Sequence, residues 1–235
     1  MFYHGLFMLY VVGTPIGNLD DLSLRQAKTL LSSQIILSED TRSTHFLLKK
    51  AGELLRLPPP ADIKLISYYK EKELEKLPQI LEWLHQEKII SLISQAGMPL
   101  ISDPGYLLIK QVIKEQLPLT VIPGPSAITT ALIYTGYNLG NFCFLGFVPK
   151  KQGDFRQLLG KLAANQTNFP EMLYVFFESP HRINKTLKTI DDTCPQAKIT
   201  IARELTKKFE EISRGTAQEL LTKTYKGEIT LLLRF

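Results

Sequence analysis

The segment that most constrains this chain is Ile89–Gly105. An apolar run, Ile89–Ile93, passes directly into SQAGMPLISDPG, Ser94–Gly105, a loop with two Gly, two Pro, two Ser and one Asp. An apolar run of this length closed by Gly and Pro reads as a buried strand ending in a shaped loop. Loops beyond the carboxyl ends of strands are where open α/β sheets hold ligands. Three further segments have the same form: Val12–Leu19 (VGTPIGNL), Ile122–Ala127 (IPGPSA) and Phe147–Lys150. The central loop and the first two of these are expected to converge on one small molecule, with the central loop as its floor.

Strand-like and helix-like segments alternate along the chain, which predicts an α/β fold. Strands are expected at Leu9–Val12, Gln34–Leu37, Ile63–Tyr68, Ile89–Ile93 and Leu119–Ile122. Helices are expected between them: one after Leu19 capped by Asp20 or Asp21, then Ser43–Ala51, Glu71–Gln86 and Tyr106–Gln116. In the third of these Leu74, Leu77, Ile80, Leu81 and Leu84 follow helical spacing, and Pro78 predicts that the regular helix begins near it. In the second half, helices are expected at Ser126–Tyr134, Asp154–Ala164, His181–Asp191 and Ala217–Lys223. Strands are expected at Phe142–Phe147, Met172–Phe177, Lys198–Arg203, Glu210–Arg214 and Glu228–Leu233. The last strands follow each other closely, so the second sheet is expected to be mixed or antiparallel. The expected domains are residues 1–122 and 123–235.

Charge sharpens this division. The 235-residue chain carries a net charge of +5. Residues 1–122 balance 13 Lys/Arg against 13 Asp/Glu; residues 123–235 hold 15 against 10, so the whole excess lies in the second half. A basic half suits a polyanionic partner, although it equally suits solubility. No apolar run is long enough to span a membrane. The start, MFYHGLFMLYVV, lacks a basic leader region and a small-residue cleavage site, so it reads as a buried first strand, with Met8 an alternative start. Cys143 and Cys194 have no metal-binding spacing and read as reduced thiols of a cytoplasmic protein. No metal is expected.

Four motifs place chemistry-bearing residues at strand ends. Gly13-Thr-Pro-Ile-Gly-Asn18 matches neither of the common nucleotide-phosphate loops, and reads either as a ligand-approaching loop or as a tight strand-to-helix turn. In Ser38-Glu39-Asp40-Thr41-Arg42, a carboxylate is suited to accept a proton and Arg42 to hold a phosphate; a solvated helix start is the plainer reading. Glu178-Ser179-Pro180-His181-Arg182 opens a helix, where His181 is a base candidate and Arg182 a phosphate fork, or Ser179 and Pro180 simply start the helix. Arg203 to Glu211 mixes cations and acids, as a salt-bridged surface or a basic rim.

Taken together, VGTPIGNLDDLS, SEDTR, SDPG with IPGPSA, and ESPHR with ARELTKKFEE resemble the RNA small subunit methyltransferase I family of the tetrapyrrole (corrin/porphyrin) methylase superfamily. The resemblance runs from residue 8 to about residue 233. It implies two α/β domains with S-adenosylmethionine (SAM) in the cleft between them, in a homodimer. It implies 2′-O-methylation of a cytidine ribose in 16S ribosomal RNA, within the small ribosomal subunit. Rival readings are a tetrapyrrole C-methyltransferase and a non-catalytic relative. By the same likeness, SAM contacts fall on Thr14, Pro15, Ile16 and Gly17, on Ser94, Gln95, Ala96, Gly97 and Met98, on Ser126 and Ala127, and on Phe177. Candidates for a base acting on the 2′-hydroxyl are Glu39, Asp40, His181 and Lys207. Arg42, Arg182, Arg203 and Lys208 are expected to hold RNA phosphates. The sequence departs from the family's usual SDAGTP at Gln95, in place of an acid, and at Met98, in place of a threonine, which predicts weaker SAM binding. Many family members continue into a small C-terminal helical segment that this sequence does not include, so RNA affinity or substrate choice is expected to differ.

Overall fold

The computed structural model describes residues 8–166 and 168–235. Most of the apolar start read as part of the first strand, residues 1–7, lies outside the described residues. The chain forms two compact units that divide between Ser126 and Ala127.

The first unit is built from β1 (Leu9–Val12), α1 (Leu24–Ser32), β2 (Ile35–Ser38), α2 (Thr41–Leu55), β3 (Lys64–Ser67), α3 (Glu73–His85), β4 (Ile90–Ile93), α4 (Tyr106–Lys114) and β5 (Leu119–Ile122). Its sheet has the order β3-β2-β4-β1-β5, and every neighbouring pair is parallel. Alternate side chains face opposite ways along each strand. Val12, Ile36, Ile93 and Ile122 therefore pack beneath Ala27 and Leu30 of α1 and Leu47, Leu48 and Ala51 of α2. On the other face Leu9, Ile35, Leu37, Ile90 and Leu92 meet Ile80 and Leu84 of α3 and Leu108 and Val112 of α4.

This arrangement creates a switch point. β1 and β4 are neighbours, with Val12 opposite Ile93. The loop after β1 leads to α1 on one face, while the loop after β4 leads to α4 on the other. The two loops part, and a crevice opens at the carboxyl edge of the sheet.

Local details depart from the sequence reading where capping chemistry decides them. Asp20 and Asp21 do not cap α1; with Leu19 they form a short 3-10 turn capped by the Asn18 side chain. The cap of α1 is Ser23. Its hydroxyl accepts from Gln26 N, and the Gln26 carboxamide accepts from Ser23 N at 2.6 Å, a reciprocal capping box. Pro78 does not begin α3 but sits inside it. The carbonyl that loses its donor there belongs to Leu74, which is 72% exposed rather than on the inner face.

The second unit comprises α5 (Ala127–Ile133), β6 (Phe142–Phe147), α6 (Gln152–Asn165), β7 (Leu173–Glu178), α7 (Ile183–Thr193), β8 (Lys198–Arg203), β9 (Glu211–Gly215), α8 (Ala217–Leu220) and β10 (Ile229–Arg234). Its sheet runs β6-β7-β10-β8-β9; β6 and β7 are parallel and the remaining neighbours antiparallel. Tyr174, Phe176, Ile199, Ile201, Leu231 and Leu233 project from one face into a core closed by Phe155, Leu159 and Leu162 of α6 and Ile183, Leu187 and Ile190 of α7. Among the described residues, no helix is long and apolar enough to cross a membrane.

Gln26 ties the first unit's helix α1 to its sheet. Its side chain is buried, and its amide nitrogen donates to the carbonyls of Gly13 at 2.7 Å and Pro123 at 3.3 Å. Gln26→Ala removes this donor and leaves two carbonyls short of a partner. The expected outcome is a loss of about 2 kcal/mol in urea unfolding; an unshifted midpoint would show that the amide contributes nothing.

Candidate active site

The loops beyond β1, β4 and β5 are joined by backbone contacts. Thr14 N donates to Gly97 O at 2.8 Å, and Gly97 N returns a bond to Thr14 O at 3.1 Å. Ser94 Oγ donates to Gly97 O at 2.9 Å, and Thr14 Oγ1 to Ser94 O at 3.3 Å. Gly97 takes a left-handed φ of +84°, which a side chain would resist. The loops after β1 and β5 touch backbone to backbone. A Cβ placed on Gly13 would lie 2.7 Å from Gly124 N, and 2.5 Å from the Met98 sulfur that packs over it.

The geometry separates residues that shape this floor from those that face outward. Thr14 and Ser94 are buried, and their hydroxyls are directed into the loops. Pro15, Ile16 and Gly97 are also buried. Gln95 and Gly17 are exposed, and Ala96 and Met98 half-exposed. Ser126 ends the first unit and Ala127 opens α5. The sequence motifs contain Gly13 and Gly124 but assign no contact to either, and they do not include Gln26. The signals were present: two glycines each directly after or near the end of an apolar run, and a Ser-x-x-Gln capping box.

The carboxylates of the first unit take distinct roles. Asp40 caps α2, and the bond it accepts from Arg42 N, at 2.8 Å, is the main reason its pKa is lowered. The Asp40 carboxylate is thus engaged at the start of α2. Glu39, at the end of β2, has a raised pKa because it is part-buried and faces Glu71. Asp103, in the loop after β4, was not singled out from sequence. Burial, with the nearby Glu39 carboxylate, pushes its pKa up to about 6. Its loop is held at both ends: Gly97 pairs with Thr14, and the buried Glu73 carboxylate accepts from Gly105 N at 3.1 Å and Leu107 N at 2.7 Å. Between these anchors, Leu100 and Ser102 both hold left-handed φ values, +69° and +68°. Such backbone strain in non-glycine residues concentrates at functional sites.

In the second unit, several cations have internal partners. Arg182 pairs with the fully buried Glu178 carboxylate at 2.6 Å and donates to Val148 O at 3.1 Å. Glu178 also accepts from Ser179 N and from the Thr186 hydroxyl. Arg203 donates to Glu211 at 2.8 Å and to Lys226 O at 2.9 Å. Lys207 bridges Glu204 and Glu228. Burial disfavours its charge, but hydrogen bonds and attraction from the two carboxylates prevail and raise its pKa. The Lys207 ammonium is thus held protonated between two carboxylates. His181 and Lys208 are exposed, Lys208 lying over the Phe209 ring. Arg42 is 89% exposed. Phe177 sits edge-to-face with Phe144 and Phe147. Among the described residues, no three or more His, Cys, Asp or Glu side chains are grouped to hold a metal ion.

Comparison with known proteins now bears on this geometry. The model of the tetrapyrrole (corrin/porphyrin) methylases matches residues 8–221. The ribosomal RNA small subunit methyltransferase I of Thermotoga maritima is 38% identical, over 96% of this chain and 97% of that protein. Its counterpart from Hydrogenobaculum is 39% identical, over 96% and 94%. The chain belongs to this methyltransferase family. Its donor is SAM. Solved structures of diphthine synthase (TM-score 0.70, 13% identity, 97% of this chain and 89% of that one) and of the Thermus thermophilus uroporphyrin-III-C-methyltransferase (0.64, 14%, 97% and 94%) share the fold. The loops of this family member fit a SAM molecule in their chemistry. Met98 and Ala96 offer apolar surface and Gln95 one exposed amide, beside backbone brought close by Gly13 and Gly97.

Two outcomes follow for this site. Gln95→Asp, which adds a negative charge opposite a cationic donor, is expected to tighten SAM binding several-fold by calorimetry; equal affinities would remove Gln95 as a contributor. Asp103 carries a folded-state pKa above its unfolded value, so its ionisation opposes folding as pH rises from about 4 to above 6. Asp103→Asn is therefore expected to stabilise the protein at pH 7.5, on the order of 1 kcal/mol after allowing for solvent screening, and to leave stability at pH 4 unchanged.

Proposed function

We propose that this chain transfers the methyl group of SAM to the 2′-oxygen of a cytidine ribose in 16S ribosomal RNA, acting in the cytoplasm as a homodimer. One observation carries the reading: relatives named ribosomal RNA small subunit methyltransferase I match it over 96% of its length. SAM supplies an electrophilic methyl group on a sulfonium. The loops at Thr14–Gly17 and Ser94–Met98 hold and orient this donor, since transfer between two bound partners depends chiefly on alignment. Asp103 accepts the 2′-hydroxyl proton. Its carboxylate lies in the loop that continues from Met98, and a pKa of about 6 leaves it ionised yet basic at neutral pH. Burial, with the nearby Glu39 carboxylate, keeps that pKa raised. Arg42 and Lys208, both exposed, serve as phosphate contacts; Arg182 and Arg203 contribute chiefly through their internal pairs.

Transfer of labelled methyl from SAM to 30S subunits lacking the modification tests the reading. Nucleoside mapping is expected to find the label on the 2′-oxygen of one cytidine; label on a tetrapyrrole, or none in RNA, would overturn it. With 30S subunits as substrate, kcat/KM is expected to rise through pH 6 and level above it. Asp103→Asn is expected to lose that limb and at least a hundredfold in rate. Light scattering reads the homodimer.

A further inference from the structure

The pocket between the loop after β6, the start of α6 and one side of α7 has no part in the methyl-transfer site described above. It is lined by Pro149, Lys150, Gln152, Arg182, Lys185 and Thr186, with Phe155 and Thr189 beneath. Its charge is unbalanced. Arg182 is neutralised by Glu178, but neither Lys150 nor Lys185 has an ion pair or side-chain hydrogen bond among the described residues. Both lysines are exposed at the rim.

The hydrogen-bonding capacity of the pocket has the same sign. A guanidinium has five N–H donors, and Arg182 uses one toward Val148 O and one toward Glu178, leaving three. The Thr186 and Thr189 hydroxyl protons already point to Glu178 and to Lys185 O. What remains to be satisfied is therefore mostly donors: two ammonium groups, the free edge of one guanidinium and the Gln152 amide nitrogen, against one amide oxygen. Such a set is suited to an anion with several acceptor oxygens. Buried Phe155 and half-buried Pro149 supply an apolar wall beside it.

From these observations we infer that this pocket is a second RNA contact, in which Lys150 and Lys185 hold a backbone phosphodiester of the substrate. Arg182 is its base, fixed in place by Glu178. The inference rests on the RNA substrate proposed above. Because a phosphate carries no sequence information, the contact sets affinity and register and does not choose the base. It also places a binding function on two lysines of the second unit's net +5 excess.

The test is the salt dependence of binding to protein-free 16S rRNA, with the double variant Lys150→Ala/Lys185→Ala beside the wild type. Each phosphate contact contributes about 0.7–0.9 to the slope of log K against log salt. The variant is expected to bind about tenfold more weakly at 0.1 M salt, with a slope lower by about 0.7–0.9. Its SAM affinity and unfolding midpoint are expected to be unchanged, because both side chains are exposed and unpaired. Lys150→Arg/Lys185→Arg is expected to retain binding. A wild type that methylates 30S subunits, beside a double variant with unchanged slope and affinity, would overturn the pocket's role and leave the proposed function standing. A wild type that neither binds nor methylates RNA would overturn both.

Discussion

The two-way backbone pairing of Thr14 with Gly97 is the interaction on which the first unit's site depends. Parallel strands β1 and β4 end side by side, and their chains must then leave for opposite faces of the sheet. Without a tie, the crevice would be lined by two independent loops, each with its own conformational freedom to lose on binding a ligand. The Thr14–Gly97 bridge adds an isolated antiparallel pair beyond the end of the parallel β1–β4 ladder. The Ser94 hydroxyl adds a bond to the same Gly97 carbonyl, and Gln26 fastens the neighbouring loop from β5. The site is thus largely ordered before any ligand arrives, which is the condition under which alignment-dependent chemistry proceeds without a further ordering cost.

This pre-ordering explains an apparent mismatch between motif and contact. Thr14 and Ser94 are the polar residues that a motif reading favours as ligand-binding groups. Their hydroxyls instead close the loop upon itself, and the outward surface is left to Gln95, Ala96 and Met98. Gln95 and Met98 are therefore on the outward side of this loop rather than within its hydrogen bonding. Met98 also packs its sulfur against Gly13, so its side chain is both part of the floor and part of the loop packing. A methionine can do both because it is unbranched and adapts to irregular space.

Much of the fold was legible in the sequence because strand ends here coincide with Gly/Pro loops. Leu9–Val12, Leu119–Ile122, Phe142–Phe147 and Lys198–Arg203 have the bounds that the pattern predicts. Helix starts were less legible, since Asp20, Asp21 and Ser23 are all competent caps and only the reciprocal bond with Gln26 distinguishes Ser23. Asp103 was hidden for a different reason. An Asp before Pro-Gly is an ordinary turn residue, and what makes it unusual is its burial, together with Glu39, 64 positions earlier in the sequence, which the sheet order brings near. The pairing of Lys207 with Glu228 was equally hidden. Glu204 and Glu228 meet across Lys207 only because the ends of β8 and β10 lie side by side.

That last point changes how the basic second half should be understood. Net charge counts every cation equally, but cations inside this fold divide into two populations. Arg156, Arg182, Arg203, Lys207, Lys223 and Arg234 each lie beside a carboxylate. Their field at a distance is largely cancelled, and drawing one away toward a phosphate would leave a carboxylate unpaired; for the buried Glu178 that cost is severe. Lys150 and Lys185 have no such partner among the described residues to abandon, so a phosphate gains their full attraction. The sequence motif ESPHR directs notice to its arginine, yet Arg182 is the cation already committed to the fold. The lysines beside it are unremarkable as sequence, and their importance arises from what they do not touch.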